Sequence, residues 1–103
     1  MTKDGINHPL TVEEATRQIH EMARDPSVSR VLSGHARQRM RERQVHADWV
    51  DHLLREGRVD ETRQEHGTWR YRIAFVDKWG RTAVVTAIPQ TDTLVIVTVT
   101  RSE

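Results

Sequence analysis

Between His35 and Arg43, four arginines and one histidine fall within nine residues, with Glu42 the one acid among them. An imidazole can move protons near neutral pH. Guanidinium groups grip phosphate oxygens in bidentate fashion. If the run is helical, His35, Arg39 and Arg43 stand four apart on one stripe, and Ala36 and Met40 share the neighbouring stripe. Such a helix would press Ala36 and Met40 into a core and hold the three cationic or titratable groups along the edge of that contact. A phosphate ester fits such a stripe. Metal-free cleavage of RNA needs a base for the 2′-hydroxyl, an acid for the departing 5′-oxygen and cations for the charge that builds on phosphate. The competing reading is structural. His35 caps or packs, and the arginines pair with Glu42, Asp48 or Asp51.

Other residues can join the site. Arg37 and Arg41 lie on the same run and add RNA-binding charge. Arg70 and Arg72 share one face of a predicted strand, opposite Trp69, Tyr71 and Ile73. If that face meets the His35 helix, four arginines converge on one groove. Tyr71, the only tyrosine, is either a core residue with its hydroxyl at the rim or a platform for a base. Thr98 and Thr100 are candidate phosphate hydroxyls or ordinary strand formers. Glu42 either orients an arginine or acts as a base, and orientation is the preferred role. The other histidines, His8, His20, His46, His52 and His66, show no metal-ligand spacing, and no Gly-rich phosphate loop occurs. No metal and no cofactor is expected.

These groups must be carried by a small frame. A chain of 103 residues suffices for one domain with one core, read here as a single domain over residues 1–103. Net charge is +1, so whole-molecule attraction to nucleic acid is weak and the local imbalance around His35 matters more. The absence of cysteine excludes disulfides and thiolate chemistry and suits a reducing compartment. The start, Met1 to Gly5, leads into no long apolar segment, so neither a signal peptide nor a membrane span is expected. A cytoplasmic bacterial or phage-borne protein is the default class.

Residues 1–10 read as a loose tail. Thr11 and Glu14 form a capping box, and Val12, Ala15, Ile19, Met22 and Ala23 fall at helical spacing. A helix over 11–25 therefore ends at Asp25-Pro26. Ser29 to Leu32 suits a short strand. Ser33 is a natural N-cap for the His35 helix. A further helix covers Ala47 to Arg55, burying Trp49, Val50, Leu53 and Leu54, with Gly57 as a C′ residue. From Arg58 the period changes to two. Strands are expected at Arg58 to Arg63, Trp69 to Lys78, Thr82 to Ile88 and Leu94 to Thr100, with turns at Glu65-His66-Gly67, Lys78 to Arg81 and Pro89 to Asp92. Helices first and hairpin-linked strands after imply an α+β domain, with N-terminal helices packed on a three- to four-stranded antiparallel sheet.

The pattern His35-Ala36-x-x-Arg39-Met40-x-Glu42-Arg43, followed by a short helix ending at Gly57 and strands closing on Val97-Thr98-Val99, resembles a small bacterial family catalogued as a domain of unknown function. The resemblance covers a core at 33–101 and makes the helix over 11–25 an N-terminal addition. In length and element order that family is similar to the RelE and BrnT type toxins, which implies a RelE-like fold and metal-independent endoribonuclease activity. This chain lacks the Arg-rich penultimate strand and C-terminal helix of BrnT-like proteins.

Two functions follow as expectations. The first is a toxin-like endoribonuclease with His35, Arg39 and Arg43 catalytic, RNA bound by Arg37, Arg41, Arg70, Arg72 and Tyr71, and an antitoxin or other inhibitory protein as partner. The second is a non-enzymatic binder, such as a phage or mobile-element inhibitor or a regulatory module. It would dock an acidic partner through the arginine stripe, with the extra helix serving an interface or a homodimer.

Overall fold

The computed structural model describes residues 10–102. The expected loose tail lies outside the described residues except for Leu10. The elements are α1 (Val12–Arg24), β1 (Ser29–Leu32), α2 (Gly34–Arg43), α3 (Ala47–Glu56), β2 (Arg58–Glu65), β3 (Thr68–Asp77), β4 (Gly80–Gln90) and β5 (Thr93–Ser102). An α+β architecture with its helices N-terminal is thus present.

The sheet is larger than expected. It has five strands in the order β1-β5-β4-β3-β2, not three or four, and it is not wholly antiparallel. β1 pairs with β5 in parallel, Leu32 opposite Ile96. The short strand expected at Ser29 to Leu32 is present, but four residues carry no signal of which strand they pair with. It pairs with β5 because the last hairpin offers a free edge there. The hairpin turns follow from backbone chemistry. His66 and Gly67 both take positive φ, 52° and 78°, the pair of values that a tight two-residue hairpin loop needs.

α1 is closed by the expected capping box, with Glu14 N donating to Thr11 Oγ1 and Thr11 N to Glu14 Oε1. It buries Ala15, Ile19, Met22 and Ala23. α3 buries Val50, Leu53 and Leu54. Both pack with Tyr71, Ile73, Val84, Leu94, Ile96 and Val99 of the sheet in one core. No helix among the described residues is long and apolar enough to cross a membrane.

Gly57 departs from its expected role. Its φ of −77° and ψ of −179° are extended, not left-handed. Glycine is needed there for space. A Cβ would lie 2.7 Å from Leu53 O and 2.8 Å from Ala74 O.

Of three register shifts in the sheet, one lies near the last hairpin between Ala87 and Gln90, and the other two are bulges that shape the surfaces. Val59 stands opposite Ile73 and Glu61 opposite Arg72, so Asp60 is an extra residue on β2. Thr98 stands opposite Val85 and Ile96 opposite Thr86, so Val97 is extra on β5. Such insertions re-aim side chains and release backbone groups from the ladder.

Candidate functional site

α2 begins where β1 ends. Ser33 N continues the parallel ladder by donating to Ile96 O at 3.0 Å. The Ser33 hydroxyl then works in two directions. It accepts from Ala36 N at 2.9 Å and donates to Val97 O at 2.9 Å. The first bond caps the helix. The second ties the cap to the bulged residue of β5. Ala36 and Met40 are buried as expected, which fixes the rotation of the helix and so the direction of each polar side chain.

The core stripe divides α2 into two flanks. At 100° per residue, His35, Arg39 and Arg43 fall on one side of Ala36 and Met40, and Arg37 and Arg41 on the other. On the first flank, Arg39 Nε lies 3.5 Å from His35 Nε2. With Arg39 as donor, Nε2 is the ring nitrogen that keeps its lone pair. Arg39 Nη1 is 3.0 Å from Glu42 Oε1, and Gln38 Nε2 is 2.9 Å from Glu42 Oε2. The Gln38 hydrogen bond, joined by the charges of Arg39 and Arg43, holds the Glu42 carboxyl below its ordinary range. Glu42 therefore stays anionic and orients Arg39. His35 and Arg43 are exposed, and Arg39 is half-buried. The side chains of Arg37, Arg41 and Arg43 make no hydrogen bond or close ion pair with other described residues.

On the second flank a hollow of about 620 Å³ opens between α2, the end of β1 and the start of α3. Leu32, Met40, Val45 and Ala47 contribute apolar lining, and Arg37, Arg41 and His46 polar lining. Sequence reading placed Arg37 and Arg41 as cations but missed the hollow beside them. Their offset from the Ala36–Met40 stripe was the available signal.

The other predicted residues stand elsewhere. Arg70 and Arg72 alternate with buried Tyr71 and Ile73 on β3, on the face turned away from the core. They line a separate cleft of about 180 Å³ with Glu61, Arg63, Glu65, Val85 and Thr100, and no α2 residue takes part. The expected four-arginine groove does not form. These arginines are also engaged by acids. Arg72 Nε is 2.8 Å from Asp60 Oδ1, Arg72 Nη2 3.3 Å from Glu61 Oε1, and Arg70 Nη1 3.3 Å from Glu65 Oε2. Asp60 reaches both Arg72 and Arg81 because the bulge puts it on that face. Tyr71 is 1% exposed, and its hydroxyl accepts from Leu10 N at 3.4 Å. An enclosed ring has no free face for a base, so Tyr71 is a core residue. Thr98 is half-buried and Thr100 exposed on β5, away from the α2 cations. Among the described residues, no group of three or more His, Asp or Glu is placed to hold a metal ion.

A family model described as Domain of unknown function (DUF4258) matches residues 32–101. The chain belongs to that family. The DUF4258 span opens at the last residue of β1 and runs into the last strand, so it contains both flanks of α2 and all of β2 to β4. α1 precedes it yet supplies four buried residues to the same core. No curated protein and no solved structure matches the chain.

Proposed function

We propose that this DUF4258 protein is a toxin-like, metal-independent endoribonuclease of RelE-like kind, with its site on the His35–Arg39–Arg43 flank of α2. The observation that carries the reading is the His35–Arg39 contact beside Arg43, whose guanidinium makes no close ion pair among the described residues. His35 keeps a ring lone pair on Nε2 and takes the proton of the 2′-hydroxyl. Arg39, held by Glu42, and the exposed Arg43 grip the phosphate as charge accumulates on its oxygens. The 2′-oxygen displaces the 5′-oxygen, which leaves as an alcohol with a proton from water, and a cyclic phosphate remains. Arg37 and Arg41 extend the cationic surface along the strand of RNA. Action would be cytoplasmic, under an inhibitory protein such as an antitoxin.

The test is incubation of the purified protein with mixed RNA in EDTA, beside His35→Ala and Arg39→Ala. The reading expects cleavage lost in both variants. Cleavage that survives both removes the site assignment. Binding through several phosphates should also weaken steeply as salt rises.

The Arg37–Arg41 hollow favours a second reading, a non-enzymatic binder of an acidic partner. Binding without cleavage, and without steep salt dependence on RNA, would support it.

A further inference from the structure

Among the described residues β1 is an edge strand, bonded to β5 on one side only. Ser29 N donates to Asp92 O and Ser33 N to Ile96 O. The odd-numbered residues of β1 thus face β5. By strand alternation the N–H and C=O groups of Arg30 and Leu32 point out to the open edge. Val31 is 47% exposed. Its guards are its four-residue length and the charge of Arg30; it carries neither proline nor a bulge.

Two hollows lie along the helix side of this strand, and Leu32 lines both. One, about 240 Å³, is reached past Arg30 and bordered by Asp48 and Asp51. The other is the 620 Å³ hollow of Met40 and Val45, bordered by Arg37 and Arg41. Arg30 is already neutralised, with Nε 2.7 Å from Asp51 Oδ1. The side chains of Arg37 and Arg41 have no close partner among the described residues. Charge therefore runs along the edge, acidic past Arg30 and basic past Leu32.

We propose that the β1 edge and these two hollows form a docking surface for an extended segment of another protein, apolar at alternate positions and acidic at the end that passes Leu32. Such a segment adds a strand beside β1 through the outward groups of Arg30 and Leu32. Residues two apart on a strand lie on one face, ~7 Å apart, so successive apolar side chains enter successive hollows. Carboxylates beyond them meet Arg37 and Arg41. This surface is the flank of α2 opposite His35 and Arg39; the proposal rests on the acidic-partner reading of the Arg37–Arg41 hollow, and it meets the ribonuclease reading only at Arg37 and Arg41.

The test uses the full chain and a labelled synthetic peptide of alternating valine and threonine that ends in glutamates, beside one that ends in lysines. Anisotropy reads affinity, and NMR amide exchange reads the edge. The glutamate peptide should bind ~10-fold more tightly than the lysine peptide and slow exchange at the Arg30 and Leu32 amides. Arg37→Glu with Arg41→Glu should reverse the preference. Arg37→Gln with Arg41→Gln, which only removes charge, should abolish it. Both side chains are exposed, so circular dichroism should not change. His35→Ala should leave peptide binding unaltered. Equal affinity for both peptides, no binding of the glutamate peptide, or unprotected Arg30 and Leu32 amides would overturn the proposal. So would an oligouridylate that binds through Arg37 and Arg41 where the peptide does not. Dimerisation of the free protein that protects the same amides would assign the edge to a second copy instead.

Discussion

Ser33→Ala tests how the candidate site is held. The hydroxyl makes two bonds, each 2.9 Å long, to Ala36 N and Val97 O. Losing a serine N-cap costs about 1 kcal/mol. Losing a part-buried hydrogen bond to the Val97 carbonyl costs about 1 kcal/mol more. The sum of about 2 kcal/mol corresponds to a fall in Tm of roughly 10 °C for a domain of this size. Urea unfolding followed by tryptophan fluorescence measures it, as a lower midpoint with an unchanged m value. Ser33→Thr keeps the hydroxyl and should restore most of the loss. Ser33→Gly should fall between, because glycine is a tolerable cap but cannot reach Val97. The Ala36 amide should also exchange faster in Ser33→Ala, since its acceptor is gone. A loss under about 0.5 kcal/mol, or an equal loss in Ser33→Thr, would refute the claim that this hydroxyl couples α2 to β5.

Three further outcomes follow from the structure. Burial pushes the Tyr71 hydroxyl above its ordinary pKa of 10.0. The neutral form is therefore favoured when folded, and this part of the stability is complete below pH 10 and is lost as pH rises from there through the folded value. Phenolate absorbance from the single tyrosine should appear only above the ordinary range in folded protein. Tyr71→Phe should flatten the alkaline fall in stability while costing less than about 1 kcal/mol at neutral pH, because the bond to Leu10 N is long. Gly57→Ala should cost about 2 kcal/mol by chemical denaturation, since its Cβ would strike two backbone oxygens. Gln44→Gly should raise stability by about 1 kcal/mol, because Gln44 ends α2 at a φ of 56°, which is strained for a residue with a Cβ.

Where local pattern and tertiary demand agreed, the sequence could be read. Thr11 and Glu14 announced α1, Ser33 announced α2, and the alternation from Trp69 to Phe75 gave β3 the correct buried face. Failures came where distant chain decided the outcome. Ser29 to Leu32 reads as a strand by itself, but its parallel pairing with β5 joins residues more than sixty apart, and nothing in the segment encodes that partner. Gly57 follows a helix, as glycines often do, but its reason is the approach of the Ala74 carbonyl. Tyr71 and Arg72 cannot serve one site, because strand alternation puts them on opposite faces of β3.

The spacing of Ala36 and Met40 already fixes the rotation of α2 and splits its arginines into two flanks, but the sequence does not show what each flank meets. In the fold, the arginines separate by type of neighbour rather than by charge. Arg39 falls beside a histidine and a carboxylate that fix its orientation. Arg37 and Arg41 fall beside apolar side chains and the β1 edge, with no carboxylate paired to them among the described residues. A group that must act on a small, developing charge benefits from the first setting, because a tethered guanidinium needs little reorganisation. A group that must attract and release a macromolecule benefits from the second, because exposed charge speeds encounter more than it deepens affinity. Charge reversal at Arg37 and Arg41 should accordingly alter association rate and salt dependence, whereas Arg39→Ala should alter chemistry or site geometry. Identical effects from the two changes would mean that α2 presents one surface after all.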